Sequence, residues 1–148
     1  MITLPDNASQ SLGNGLLLKR IEESLKKRAD QNLCTIDLTT AQSHILRVLG
    51  FQEGESCTLK DLERFFHLAQ STVAGTVSRL EKKGLVEALP DESDRRVKVV
   101  RLTELGRERN RLSWEMIQNT ERQMLVGMTE EEQQELSRLL RMVYENIR

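Results

Sequence analysis

The stretch QSTVAGTVSRLEKKGLVEALPDESDRRVKVVRLTELG, residues 70–106, decides the fold. Its first third has a helical period. Val73, Val77 and Leu80 stand at i, i+4 and i+7, so they share one face of a helix. That helix is predicted to run to Lys83, with Gly84 just beyond it as the stop. The period then changes. Residues 85–89 form a short apolar segment, residues 90–96 a charged turn and residues 97–102 a second strand-like run. Two short strands around such a turn predict a β-hairpin.

Working upstream, Thr58 and Asp61 form a T-x-x-D start for a helix with a buried stripe of Leu59, Leu62, Phe65 and Phe66. Residues 67–70 break it before the next helix. Residues 52–56 read as a loop. Thr39 or Thr40 caps a helix to about Leu49, with Ala41, Ile45, Val48 and Leu49 inward and Gly50 ending it. Leu17, Leu18, Ile21, Leu25 and Ala29 give a first amphipathic helix over residues 16–31, followed by a connector over 32–38. Residues 1–15, with Pro5, Gly13 and Gly15, read as a flexible arm.

Downstream, Thr103 opens a long helix to about Val126, with Leu105, Leu112, Met116, Ile117, Met124 and Leu125 as its apolar positions. Thr129 and Glu132 make a T-x-x-E box for a last helix to Ile147, striped by Leu136, Leu139, Leu140, Val143 and Ile147. The predicted fold is mainly α with a small β-hairpin wing. It is a winged helix-turn-helix lobe (residues 39–106) between an N-terminal helix (16–38) and C-terminal helices (107–148). The terminal helices are not needed to complete so small a core, so dimerisation is the expected use of their apolar faces.

Composition narrows the function. The 148 residues suit one domain, and 38% hydrophobic with 30% charged residues excludes both a disordered tail and a membrane protein. Aromatic residues, at 3%, are too few for a base-stacking platform on single strands. Cys34 and Cys57 cannot make a disulfide framework, and the two cysteines and two histidines lack zinc-site spacing. No secretory signal is read at the N-terminus, so the expected compartment is the cytoplasm. No phosphate-loop, dinucleotide, nucleophile-elbow or zinc-protease motif is present, and no nucleophile, base and orienting group can be named for an enzyme.

The outward face of the helix in residues 70–83 carries Gln70, Ser71, Thr72, Gly75, Ser78, Arg79 and Lys82, with no acid among them. Small residues let a helix backbone approach base edges. Hydroxyls and cations bind bases or phosphates in the major groove. An ordinary solvated face fits the wheel equally well. The hairpin tips the balance: Arg95 and Arg96 in its turn, with Lys98 beyond, suit a wing entering the minor groove, while the acids Asp91, Glu92 and Asp94 fit a merely solubilising charged turn as the alternative.

The net charge of -1 seems to count against DNA, but it is an average. Residues 1–57 hold 6 Lys+Arg against 7 acids, residues 58–111 hold 12 against 9, and residues 112–148 hold 4 against 7. The positive excess falls on the helix-turn-helix and wing. So modest an excess suggests two lobes binding together, as a dimer allows.

The ordered set Thr58-Leu59-Lys60-Asp61-Leu62, Gln70-Ser71-Thr72-Val73, Arg79-Leu80-Glu81-Lys82-Lys83-Gly84-Leu85-Val86-Glu87, Asp91-Glu92-Ser93-Asp94-Arg95-Arg96 and Leu102-Thr103-Glu104-Leu105-Gly106 resembles the MarR (multiple-antibiotic-resistance repressor) family of transcription factors. Leu38-Thr39-Thr40-Ala41-Gln42 adds to the resemblance, which covers residues 16–148. It implies a homodimer on a pseudo-palindromic double-stranded operator, usually a repressor. Many such proteins release DNA when a small phenolic or anionic ligand binds. By the same resemblance Arg96 is the wing arginine, and Asp94 its acidic neighbour that shapes the wing. The chain departs from the pattern in four places. Ala69 replaces a capping Ser, Ser78 an Asp that could pair with the wing arginine, Ala88 an Arg, and Gly75 a base-reading side chain.

His44, Arg47 and Trp114 are candidates to line a ligand pocket, each with a plainer alternative: a core or partly exposed His, a surface Arg, a Trp packed in the core or dimer interface. Cys34 is either a small residue at a helix junction or an oxidant sensor. His67 is a candidate phosphate contact. Gly106 is read as close packing against the base of the wing. The alternative function is a winged-helix protein-interaction module that does not bind DNA.

Overall fold

The computed structural model describes residues 8–148, with side chains from Gly13 onward. The chain divides into two compact units, Met1–Met116 and Ile117–Arg148. The elements are α1 (Ala8–Cys34), α2 (Thr40–Gly50), a 3₁₀ turn (Glu53–Glu55), β1 (Ser56–Thr58), α3 (Leu59–Phe66), α4 (Gln70–Lys82), β2 (Val86–Pro90), β3 (Lys98–Leu102), α5 (Glu104–Met124) and α6 (Glu130–Ile147). This is the winged helix-turn-helix order read from the sequence.

Three N-caps fall at threonines marked in the sequence, and of the two candidates for α2 the cap is Thr39 rather than Thr40. Thr39 with Gln42, Thr58 with Asp61 and Thr129 with Glu132 each form a reciprocal capping box. Each box satisfies amides that the helix start would otherwise leave open. α3 ends at His67, which adopts the left-handed conformation at φ 51° and turns the chain into α4. α4 begins at Ala69 with no side-chain cap, the departure the sequence had marked.

Five expectations are corrected, the first being Ala41 of α2, which is exposed instead of inward, while Leu46 is buried. α1 starts at Ala8 rather than Leu16 and breaks at Gly13, whose φ of 77° and ψ of 156° are not helical. Of the expected arm, residues 1–7 lie outside the described residues. The helix also runs on to Cys34, shortening the connector. The hairpin gains a third strand, giving an antiparallel sheet in the order β1-β3-β2. Phe65 is 64% exposed instead of buried. At about 100° per residue, Leu59, Leu62 and Phe66 form one stripe and Phe65 falls off its edge.

The core of the first unit gathers Leu46, Leu49, Leu62, Val73, Val77, Leu80, Leu85, Val86, Val100 and Leu102, each at most 3% exposed. Sheet register explains the strands' share. Val100 lies opposite Cys57 on one side and Ala88 on the other, and all three pack against the core.

One junction welds α4, the wing and α5. The Thr103 hydroxyl donates to the Gly84 carbonyl at 2.6 Å and accepts from the Gly106 amide at 3.0 Å, so it caps α5. The Thr103 amide donates to the Leu85 carbonyl at 3.1 Å. A Cβ on Gly106 would lie 2.0 Å from that carbonyl oxygen, which explains why the position is glycine. Farther back, Lys83 Nζ at the end of α4 donates to the Asp37 carbonyl (2.6 Å) and to Gln42 Oε1 (3.0 Å), tying it to the turn between α1 and α2.

In the second unit, α6 has no buried residue. Leu139, Leu140, Val143 and Ile147 of its expected stripe are all more than 40% exposed.

Gly106→Ala is expected to lower stability by about 1–3 kcal/mol, the usual cost of forcing extra volume into a packed contact. Urea unfolding followed by circular dichroism measures it, and an unchanged midpoint would show that the junction yields.

Candidate nucleic-acid interface and effector cavity

Val73, Val77 and Leu80 of α4 are buried, with Thr76 buried beside them. That burial fixes which face is left outward. Gln70, Ser71, Thr72, Ser78, Arg79 and Lys82 are exposed, and Gly75 is half-buried. The Thr76 hydroxyl back-bonds to the Thr72 carbonyl at 3.0 Å and takes a long hydrogen bond from Arg79 Nη2 at 3.4 Å. A Cβ on Gly75 would meet only the Arg79 guanidinium, at 3.6 Å and 3.9 Å. Those are ordinary contacts with a flexible side chain. Packing within the chain therefore does not require glycine here, in contrast to Gly106.

The wing turn is built by two carboxylates. Asp91 accepts from the Ser93 hydroxyl, the Ser93 amide and the Asp94 amide. Asp94 accepts from the Arg96 amide at 3.1 Å and grips its guanidinium with both oxygens, Nε at 3.0 Å and Nη2 at 3.1 Å. The Arg96 side chain still stands 91% exposed. The acid that pairs with the wing arginine thus comes from the wing itself, where Ser78 offers none from α4. Arg95 and Lys98 are exposed beside it. The Ser93 hydroxyl holds the Asp91 carboxyl below the usual carboxylate range, and the Arg96 side chain does the same for Asp94.

A separate cavity of about 390 Å³ is lined by Arg47, Gly50, Phe51, Glu55, Leu102, Arg107, Asn110, Arg111 and Trp114. The Arg47 guanidinium lies 5.7 Å above the Trp114 ring, a cation–π contact. Trp114 lines this cavity and is 45% exposed, so it is not part of the core. Among the described residues, no hydrogen-bond acceptor meets the buried Arg47 Nε. Burial pulls the Arg47 pKa down from its ordinary value. Arg107 pairs with Glu55, while Glu108 and Glu115 both hold Arg111.

Of the three candidate pocket residues, Arg47 and Trp114 meet here and His44 does not. His44 stacks on Phe66 with ring centroids 6.5 Å apart. Burial first, and Arg47 second, lower its pKa. Phe51, Glu55, Arg107, Asn110 and Arg111 were not singled out in the sequence. Only Glu55 and the arginines carried a signal, a charge near a helix start, and that signal is common.

Cys57 is pushed up to about 11 by burial and by Asp61, so it is an inert thiol; Cys34 is exposed. The described residues contain no group of three or more His, Cys, Asp or Glu placed to hold a metal. No described helix is long and apolar enough to cross a membrane.

The wing gives a pH prediction. Both carboxylates have depressed pKa values, so their ordering effect is complete above the unfolded value of about 3.9 and is lost as pH falls through the folded values. The amide signals of Ser93, Asp94 and Arg96 are expected to hold steady in NMR spectra down to about pH 4 and to move only below it. Movement between neutrality and that point would contradict the two-carboxylate turn.

Comparison with known proteins agrees with this architecture. The MarR family model matches residues 36–97. The chain is 28% identical over 130 residues to the HTH-type transcriptional repressor IacR of Pseudomonas putida, covering 88% of this chain and 77% of IacR. It is 31% identical over 100 residues to the HTH-type transcriptional regulator YwhA of Bacillus subtilis, covering 64% of this chain and 69% of YwhA. In fold it is similar to Staphylococcus aureus MepR, a transcription regulator of the multidrug efflux pump MepA, with a TM-score of 0.81 at 23% identity. That match covers 92% of this chain and 99% of MepR. A MepR–DNA complex gives a TM-score of 0.75 at 24% identity, covering 91% and 98%. The relatives are regulators rather than enzymes, and the chain belongs to the MarR family of winged helix-turn-helix transcriptional regulators.

Proposed function

We propose that the chain acts in the cytoplasm as a homodimeric repressor that binds a pseudo-palindromic DNA operator through two winged lobes. The observation that carries this is the exposed set Ser71, Thr72, Ser78, Arg79 and Lys82 on α4, on the same unit as a wing that projects Arg96. α4 enters the major groove. Ser71, Thr72, Gly75, Ser78 and Arg79 approach base edges, while Gln70 and Lys82 take phosphates. The wing reaches the minor groove with Arg96, and Arg95 and Lys98 hold its backbone. The N-terminal helix and the helices of residues 107–148 serve dimerisation, which covers the apolar stripe that α6 leaves exposed. A small phenolic or anionic effector relieves repression from the cavity under Arg47 and Trp114.

Fluorescence anisotropy on the gene's own upstream DNA tests the reading. Affinity is expected to fall with salt by roughly 0.9 log units per log unit for each phosphate neutralised. Arg79→Ala is expected to cost about 1–3 kcal/mol and relax preference at one base pair. Lys82→Ala is expected to weaken all sequences alike and lower the salt slope by about 1. The absence of binding at low salt, or binding untouched by Arg79→Ala with Arg96→Ala, would sink the proposal in favour of a protein partner. For the dimer, light scattering is expected to give twice the 17.0 kDa chain mass.

Gly75→Ala separates folding from recognition. It is expected to stabilise the free protein by about 0.4–1 kcal/mol, since alanine suits a helix better, yet to weaken DNA binding. Thermal melts and the same anisotropy assay read the two signs.

A further inference from the structure

Thr76 is a polar residue on the buried side of α4. It is 5% exposed and shares that side with Val73, Val77 and Leu80. Its methyl group suits such a place, but its hydroxyl does nothing that the fold requires. The hydroxyl donates to the Thr72 carbonyl at 3.0 Å. That oxygen, four residues back, is one an α-helix already supplies with a backbone amide. A hydroxyl bonded back in this way slightly disfavours the helix.

With its one proton spent on Thr72, the hydroxyl meets its other neighbour as an acceptor. Arg79 Nη2 donates to it at 3.4 Å. The same guanidinium lies over Gly75, where a Cβ would stand 3.6 Å from Nη1 and 3.9 Å from Nη2. Arg79 is thus folded back along residues 75 and 76, the direction a long side chain on a helix prefers. Among the described residues, no carboxylate pairs with Arg79. Arg96 differs, since Asp94 grips it with both oxygens. A carboxylate offsets the charge of its arginine and engages the fork that a base would use. A neutral hydroxyl takes one N–H and leaves the charge whole.

We infer that Thr76 is a positioning residue for base recognition: its hydroxyl holds the Arg79 guanidinium in the orientation that presents a fork to a guanine edge. The inference rests on the reading of Arg79 as a base contact. An arginine free on a helix surface gives up rotamer freedom when it docks. Thr76 reduces that cost for one orientation. Orientation decides the paired contacts to guanine O6 and N7, whereas contacts to phosphate carry no sequence information. Thr76 therefore acts on base preference and leaves general affinity alone.

The test is fluorescence anisotropy on the upstream DNA and on copies in which each base pair is replaced in turn. Thr76→Val removes the hydroxyl and keeps the shape, and Thr76→Ser keeps the hydroxyl. Thr76→Ala, with a better helix former, takes the place of the valine variant if that one folds poorly. Wild type is expected to prefer guanine at one position of each half-site. Thr76→Val is expected to lower that preference about two- to tenfold, the worth of ordering one long side chain. Thr76→Ser is expected to retain it. On DNA without that guanine, wild type and Thr76→Val are expected to bind alike. In an Arg79→Ala background, Thr76→Val is expected to change nothing further. An unchanged preference in Thr76→Val overturns the inference and leaves Arg79 as a base contact. Equal weakening on every sequence, or a loss that persists without Arg79, overturns it too, since Thr76 would then serve only the helix. If Arg79→Ala leaves every base preference intact, the reading of Arg79 falls and the inference falls with it.

Discussion

The Leu85 carbonyl is the point on which the lobe depends. It accepts from the Thr103 amide and stands so close to Gly106 that no side chain fits between them. Thr103 at the same place bonds to Gly84 and caps α5. Three elements that are distant in sequence thereby share one fixed origin: the end of α4, the base of the wing and the start of α5. The core alone would not fix these angles. Leucines and valines bury well in many arrangements, whereas a hydrogen-bonded approach of backbone to backbone tolerates few.

From that origin the lobe exposes two different surfaces. The α4 face is defined by what lies beneath it, since burial of Val73, Val77 and Leu80 leaves only one side for the polar residues. The wing is defined by local hydrogen bonds at its tip, with little burial. The cavity is a third region, bounded by α2, the 3₁₀ turn, β3 and α5, and it adjoins the same junction through Leu102. An event in the cavity is therefore next to the contacts that orient the lobe, with few intervening residues.

Most helix starts were legible in the sequence because capping is local chemistry. A Thr followed three residues later by Gln, Asp or Glu completes its box from its own neighbours. Gly106 was legible for the same kind of reason, standing where the chain must pass its own backbone. β1 was not, because three residues cannot display an alternation. Ser56-Cys57-Thr58 is a strand because β3 has a free edge there, a fact of tertiary structure. The outward polar face of α4 could be read from the wheel, since α4 is long enough to show its period. The cavity could not, because Arg47, Glu55, Arg107 and Trp114 come from three elements and only folding brings them together. His44 shows the limit from the other side: it shares a helix with Arg47 yet stacks on α3 instead.

The Asp94–Arg96 clasp has a consequence for the speed and selectivity of docking. A free arginine at a loop tip samples many rotamers, and nearly all must be given up when it enters a narrow groove. Here both carboxylate oxygens already hold the guanidinium as a planar fork, with the turn beneath it closed by Asp91. Much of the ordering is done before any partner arrives. The same carboxylate repels an approaching phosphate, so a lone strand of backbone gains little from this tip. A groove that surrounds the fork with acceptors gains more, so under the proposed function the wing would select through shape as well as charge.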